Sequence, residues 1–319
     1  MKQDRAIKLA DLDVTPLSAA RSLPLDEAGN QVHKQLKQAL YRYKNEALQA
    51  TLTDSNTTEK FCTVEQREGG VAPAGITWSQ EHKGYLVGRN GRLEIVSYDW
   101  RTTYPFGKIL FQGTPMPLRI NDSVICAQMH SDKMYRLSPE DGVTTREHAA
   151  SQITTTIVEY GDDLLVCGHK DNKVFFATYD TDFLELDFFS LGMELDHLLY
   201  LVDMHVDGRS LFVLVNRDIT SQEILEIRER TIVRSIPIPV WFRRFCGLCK
   251  IGDEFLLGTD DALIKISSEG TLTAWQYCHR FGCDALHQVK TPSGHELFAT
   301  SKRRGSISKI SMLLNGETA

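Results

Sequence analysis

The 319-residue sequence lacks any segment typical of a membrane span, since no stretch approaches about 18 uninterrupted apolar residues. Its first residues, MKQDRAIKLADLDV, carry charges throughout and lack the apolar core of a signal peptide. Several enzyme motifs are also missing: we find no Gly-rich phosphate loop, nucleophile elbow, HExxH helix or dinucleotide-binding fingerprint. We therefore expect an intracellular, cytoplasmic protein, with a nuclear location left open, that carries none of those sites.

The sequence also has little excess charge and no evident disulfide framework. The formal net charge is only −6, which argues against bulk nucleic-acid binding, because such proteins need a basic field over most of their surface. The cysteine count is seven, and Cys126 and Cys167 lie inside the apolar runs VICAQ and LLVCG, where a small hydrophobic residue would serve equally well. An odd count of such cysteines favours a reducing compartment.

A pair of β-type runs recurs six times along the chain. The first run of each copy begins at Tyr85, Val124, Leu164, Leu211, Phe255 and Leu297, with spacings of 39 to 47 residues. A short polar turn leads to a second run, and five of the six second runs end near an acid: Asp99, Glu140, Asp180, Glu229 and Glu269. A carboxylate at a strand end suits a turn because it accepts backbone N–H bonds. Two more short runs separate the copies, so each unit of about 40 residues holds four strands.

Four-stranded units at this period resemble the blades of the β-propeller superfamily, in its WD40-like or related forms, over residues 60 to 313. The third strands end in SYD, SPE, TYD and SSE instead of Trp-Asp, so we assign no subfamily. The resemblance implies an all-β, six-bladed propeller over 60–319. The sixth blade lacks its outermost strand, and KFCTVEQ, residues 60–66, is predicted to supply it and close the ring. A seventh blade within residues 1–60 is the alternative.

Residues 1–59 form a separate extension with a different pattern. Within it, QVHKQLKQALYRYKNEALQA predicts an amphipathic helix over about 31–50, followed by the polar linker TLTDSNTTEK. An isolated helix of this length is marginal in water, so its apolar stripe should be buried. It could dock on the propeller, or it could bind another protein through Leu36, Leu40 and Tyr43.

Propeller geometry places the loops between second and third strands, together with the connections between blades, on one face, called the top. Blade five contributes the acids Asp260 and Asp261 to this face, but the other blades contribute cations. Those predicted to bind a partner are Arg89, Arg92, Lys133, Lys170, Lys173, Arg243, Arg244, Arg280, Lys302, Arg303 and Arg304, with His130 and His279 beside them. A positive face on an acidic protein favours an anionic partner, although solvated loops are often basic by chance.

Two other residue sets suggest different chemistry. Asp203 with His205, and Asp284 with His287, fall on first strands, which line the channel of a propeller, where a metal-bound water or a general base could serve a hydrolase. Cys246, Cys249, Cys278 and Cys283 have spacings that could hold zinc, but Cys246 and Cys249 are three residues apart and a strand would point them to opposite faces.

The sequence thus predicts a noncatalytic interaction scaffold in an intracellular complex, without a cofactor, that binds other proteins through acidic or phosphorylated segments. One alternative is a metal-dependent hydrolase or lactonase at the channel mouth. Another is a reader of phosphoinositide or RNA, because KRRG at 302–305 resembles the RRG motif of phosphoinositide-binding propellers, although it lies in a different loop.

Overall fold

The computed structural model describes residues 60–68, 73–108, 110–150, 153–171, 173–194, 201–216, 222–238, 245–278 and 281–313. These residues form 24 strands, numbered along the chain, and they contain no helix long and apolar enough to cross a membrane. The predicted helix over about 31–50 lies outside the described residues, so the helical extension stays a prediction.

The strands form six antiparallel sheets of four. The first strand is β1 (Cys62–Glu68). Blade 1 follows with β2 (Pro73–Ser79), β3 (Gly84–Arg89), β4 (Arg92–Ser97) and β5 (Thr103–Pro105). Blade 2 has β6 (Pro115–Ile120), β7 (Ser123–Gln128), β8 (Lys133–Leu137) and β9 (Thr144–Ala149). Blade 3 has β10 (Ile153–Tyr160), β11 (Asp163–Lys170), β12 (Lys173–Tyr179) and β13 (Glu185–Glu194).

The second half of the ring repeats this order. Blade 4 has β14 (Leu201–Asp207), β15 (Ser210–Asn216), β16 (Gln222–Arg228) and β17 (Thr231–Pro237). Blade 5 has β18 (Gly247–Ile251), β19 (Glu254–Gly258), β20 (Ala262–Ser267) and β21 (Leu272–Tyr277). Blade 6 has β22 (Ala285–Thr291), β23 (Gly294–Ser301) and β24 (Ser306–Met312), and β1 is its fourth strand. The all-β, six-bladed propeller is therefore confirmed.

Apolar side chains of the second and third strands are buried between neighbouring blades. This burial explains why the apolar runs that repeat about every 40 residues in the sequence correspond to those strands. One such core joins blades 2 and 3 through Ile125, Met134, Leu164 and Tyr179, all with 0% exposure. Blades 4 and 5 meet at Phe212 and Phe255, whose ring centroids lie 5.0 Å apart. The core is consequently a ring of interblade layers surrounding a central channel.

The seam between blades 6 and 1 combines aromatic packing with a buried polar contact. Tyr85 of β3 is fully buried against Phe298 of β23, with ring centroids 5.0 Å apart, and its hydroxyl donates to the Glu296 carboxylate. Lys309 of β24 pairs with the same carboxylate at 2.8 Å. Burial is the main cause that raises the pKa of Tyr85, and the Glu296 contact adds to it. The phenol therefore stays protonated and acts as a hydrogen-bond donor across the seam.

The ring closes where β1 pairs with β24 along its full length, from Cys62 opposite Met312 to Glu68 opposite Ser306. Blade 5 holds the start of this strand through the side chain of Gln276. Its Oε1 accepts the backbone N–H groups of Phe61 and Cys62, both at 3.0 Å, and its Nε2 donates to the Cys62 carbonyl at 2.9 Å. One amide group thus satisfies three backbone groups of the closing strand.

We expect Gln276→Leu to lower the free energy of unfolding by about 1–2 kcal/mol, because it leaves two donors and an acceptor of the closing strand without their partners in a half-buried place. Chemical denaturation monitored by circular dichroism measures this loss. Gln112→Leu, at an exposed loop position, is the control and should be neutral. Equal stability of the two variants would mean that the β1–β24 pairing alone holds the seam.

Candidate functional site

The innermost strands surround a central cavity of about 460 Å³. β2, β6, β10, β14 and β22 line its wall, and loops at both ends of the channel complete it. The titratable side chains in this wall are Glu159, Asp203, His205, Asp284, His287, Lys290, His295 and Lys302. Both predicted carboxylate–histidine pairs therefore lie in one cavity, together with a lysine from the predicted basic face.

Asp203 ties three innermost strands together. Its Oδ1 accepts the N–H of Met204 at 2.9 Å, and its Oδ2 accepts the N–H of Leu248 at 2.9 Å and that of Leu286 at 3.2 Å. The last two donors belong to blades 5 and 6, while Asp203 belongs to blade 4. Burial raises its pKa to about 7, although the three N–H donors favour the charged form. Both oxygens are occupied by backbone groups, which is the arrangement of a structural carboxylate.

The other three residues of these pairs have separate surroundings. Nε2 of His287 lies 3.0 Å from the Thr300 hydroxyl, and burial lowers the pKa of His287 to about 4. Burial also lowers the pKa of His205 to about 4, despite the opposing charge of Asp207. Asp284 accepts the backbone N–H of Lys302 at 2.5 Å. Both imidazoles are therefore neutral at pH 7, and each carboxylate of the two pairs already accepts backbone hydrogen bonds.

Neither the carboxylates and histidines of the cavity nor the four cysteines are arranged as the ligands of a metal ion. Within the described ranges, no three His, Cys, Asp or Glu side chains converge as a metal site would require. Cys249, Cys278 and Cys283 are instead buried in the apolar core between blades 5 and 6. A Cβ added at Gly247 or Gly258 would lie 2.6 Å or 2.4 Å from the Cys283 sulfur, so two glycines leave room for this thiol. Cys246, by contrast, is half-buried outside that core.

Three of the predicted partner-binding cations are engaged within the propeller. Arg89 is only 5% exposed and its Nε lies 3.1 Å from Glu94. Lys133 pairs with Glu147 at 2.7 Å, and Arg303 pairs with Asp260 of blade 5 at 2.8 Å. Arg89 faces inward because its position ends a fully buried second strand.

A second group of basic residues on the same face has no ion pair among the described residues. We call this group the basic arc, and it comprises Arg92, His130, His169, Lys170, Lys173, Lys302 and Arg304. The arc flanks the loops between second and third strands in blades 1, 2, 3 and 6. Asp132 and Asp171 are the acids in these loops, so positive charge prevails. Arg243, Arg244, Arg280, Leu36, Leu40 and Tyr43 lie outside the described residues, and their predicted roles stay predictions.

No family model matches the sequence, and no curated protein matches it. The structure is similar to a gluconolactonase from Xanthomonas campestris, with a TM-score of 0.58 and 10% identity over 79% of this chain and 90% of that one. BamB from Moraxella catarrhalis gives a TM-score of 0.51 and 13% identity over 75% of this chain and 84% of that one. Raptor from Chaetomium thermophilum gives 0.51 and 11% over 81% of this chain but only 29% of that one. These similarities concern the fold alone.

Proposed function

We propose that this member of the β-propeller superfamily is a noncatalytic scaffold of an intracellular complex and that it binds an acidic segment of a partner protein through the basic arc. The observation that carries the proposal is the set of exposed arc cations that form no ion pair with any residue in the described part of the chain, in a protein whose net charge is −6. Cations left without an internal partner attract an oppositely charged surface and orient it during association.

The distribution of acids on the same face supports this choice. Asp260 and Asp261 stand in the loop of blade 5, and Asp260 neutralises Arg303 there. In the basic arc, from blade 6 through blade 3, Arg92, Lys170, Lys173 and Arg304 form no ion pair among the described residues and are available to an external anion. A partner that presents acidic residues on one side only would therefore bind in one orientation, because the blade 5 acids repel it.

The hydrolase alternative has weaker support from the geometry. A metal-dependent or general-base mechanism needs a carboxylate or an imidazole that is available to a metal or to water. Asp203 uses both oxygens for backbone N–H groups, and the His287 ring is next to the Thr300 hydroxyl. The similarity to a gluconolactonase is confined to the fold, which hosts many unrelated functions.

We expect Lys170→Glu with Arg304→Glu to weaken binding of a fluorescein-labelled octaglutamate peptide about tenfold at low ionic strength, because exposed charges act through long-range attraction and each contributes up to about 1 kcal/mol. Fluorescence anisotropy titrations measure the affinity. The difference should shrink at high salt, where screening already weakens the attraction. The melting temperature should stay close to that of the wild type, since both side chains are exposed.

The matched control is Lys83→Glu with Arg209→Glu, which changes the net charge equally. Both residues are exposed in turns between first and second strands, at the opposite end of the sheets. If both double variants lose affinity to the same degree, only net charge matters, and the assignment of binding to the basic arc is wrong. Absence of any peptide binding by the wild-type protein would likewise contradict the proposal.

A further inference from the structure

One member of the basic arc, Lys302, lies at the mouth of the channel instead of on the open surface. Its side chain is half-buried, lines the central cavity and places Nζ against the Met129 sulfur of blade 2. Lys302 belongs to the loop between β23 and β24 of blade 6, so its chain reaches over the mouth towards a blade that is not its neighbour. An ammonium in this position loses part of its hydration, and the hydrogen-bond partner that its Nζ has among the described residues is a thioether.

Two histidines lie on backbone segments next to Met129, the residue that Lys302 contacts. His130 follows Met129, and its backbone N–H donates to the Thr154 carbonyl of blade 3 at 2.8 Å. His169 lies near the end of strand β11, opposite Ile153, the residue before Thr154, so the two histidines are on adjoining backbone segments. His130 also has a φ of 59°, in the left-handed region that few non-glycine residues adopt. Burial, followed by the charges of Lys302 and His169, lowers the pKa of His130.

The surrounding acids do not neutralise this cluster. Asp284 is near enough to favour the charged form of Lys302, yet its Oδ2 accepts the Lys302 backbone N–H. Asp132, two residues after His130, is exposed, and its Oδ1 lies 3.5 Å from the Ser131 hydroxyl. Over the described ranges, no ion pair joins Lys302, His130 or His169 to a carboxylate. A partly desolvated ammonium that forms no ion pair among the described residues, with imidazoles on the adjoining segments, has the composition of an oxyanion site.

We propose that the channel mouth holds a single oxyanion between Lys302, His130 and His169 and that, in the complex, this oxyanion is a side-chain carboxylate of the acidic partner segment. This inference rests on the proposed function for the source of the carboxylate. The rest of the basic arc attracts the segment, whereas Lys302 fixes its position, because one acidic side chain enters the channel mouth. Only a half-buried cation can fix the position in this way, since water screens the exposed ones.

The test uses the full-length protein and the same octaglutamate peptide. Lys302→Met should weaken binding at least tenfold, and the loss should persist at high salt, unlike that of the exposed arc variants. Lys302→Arg should retain most of the affinity, which excludes a folding defect as the cause. Lys173→Met, the removal of one exposed arc cation, is the control and should cost less than threefold. Equal losses for Lys302→Met and Lys173→Met would overturn the inference and leave the proposed function standing.

Inorganic phosphate is the second probe, because it separates a site for free anions from a site for a peptide. Its addition should shift the NMR signals of the His130 and His169 rings in wild-type protein but not in Lys302→Met. If phosphate shifts them and the peptide does not bind, the oxyanion site stands and the proposed protein partner fails. If neither phosphate nor the peptide changes these signals, the channel mouth is not an oxyanion site.

Discussion

A protein that lacks residues 1–67 is expected to be unfolded, whereas one that lacks only residues 1–50 is expected to melt like the full-length chain. The longer deletion removes β1 almost completely and leaves β24 with an open edge. It also removes the backbone groups of Phe61 and Cys62 that the Gln276 side chain binds. The shorter deletion ends before the first strand of the propeller.

The expected loss of stability is large because all six blades depend on the closed ring for their contacts with neighbouring blades. Removal of β1 takes away a seven-residue strand pairing and exposes the core between blades 5 and 6, to which Cys62 and Val64 contribute. The remaining apolar surface would favour association between chains. Differential scanning calorimetry and analytical ultracentrifugation of both truncations measure the outcome. A cooperative transition of the 1–67 deletion at the wild-type temperature would mean that five complete blades and a three-stranded sixth are sufficient.

Replacement of Asp203 by alanine should be the most damaging single substitution in the channel. It leaves the N–H groups of Met204, Leu248 and Leu286 without their acceptor at a buried position, where Asp203 is only 4% exposed. Each orphaned donor costs about 1–3 kcal/mol, so we expect a loss of about 3 kcal/mol or more. Asp203→Asn should lose less, because the amide keeps one acceptor oxygen and carries no charge to desolvate.

Urea denaturation of both variants and of the wild type measures this series. Asp253→Asn, at an exposed turn, serves as the control for the removal of a carboxylate. Peptide binding by whichever variant remains folded should match that of the wild type, since Asp203 lies below the channel mouth and binds three backbone groups. A stable Asp203→Ala protein that has lost binding would instead make Asp203 a functional residue.

The sequence was sufficient to predict the propeller because its blades repeat locally. Buried second and third strands leave an apolar run about every 40 residues, and acids mark the turns that follow. Asp99 accepts the N–H of Arg101 at 3.1 Å, and Asp180 accepts those of Asp182 and Leu184. In the equivalent turn of blade 2, Asp141 instead of Glu140 accepts such a bond, from Val143 at 2.8 Å.

The seams and the channel mouth were harder to predict because their contacts join residues that are distant in sequence. Gln276 and Cys62 are 214 positions apart, and Tyr85 and Glu296 are 211 apart. Arg89 followed the loop pattern of the other cations, yet Glu94 holds it inside the blade. Lys302 was correctly placed on the top face, but its contact with Met129 depends on how far apart blades 2 and 6 lie across the channel.

The pairing of β1 with β24 also has a consequence for synthesis. Of the described strands, the ribosome makes β1 first and β24 last, separated by roughly 250 residues, so β1 waits for roughly 10–50 s at typical elongation rates before its partner emerges. During that time β1 is unpaired, because no strand close to it in sequence pairs with it. A message cut short before β24 would therefore yield a product that cannot close its ring, so closure reports that synthesis has passed β24.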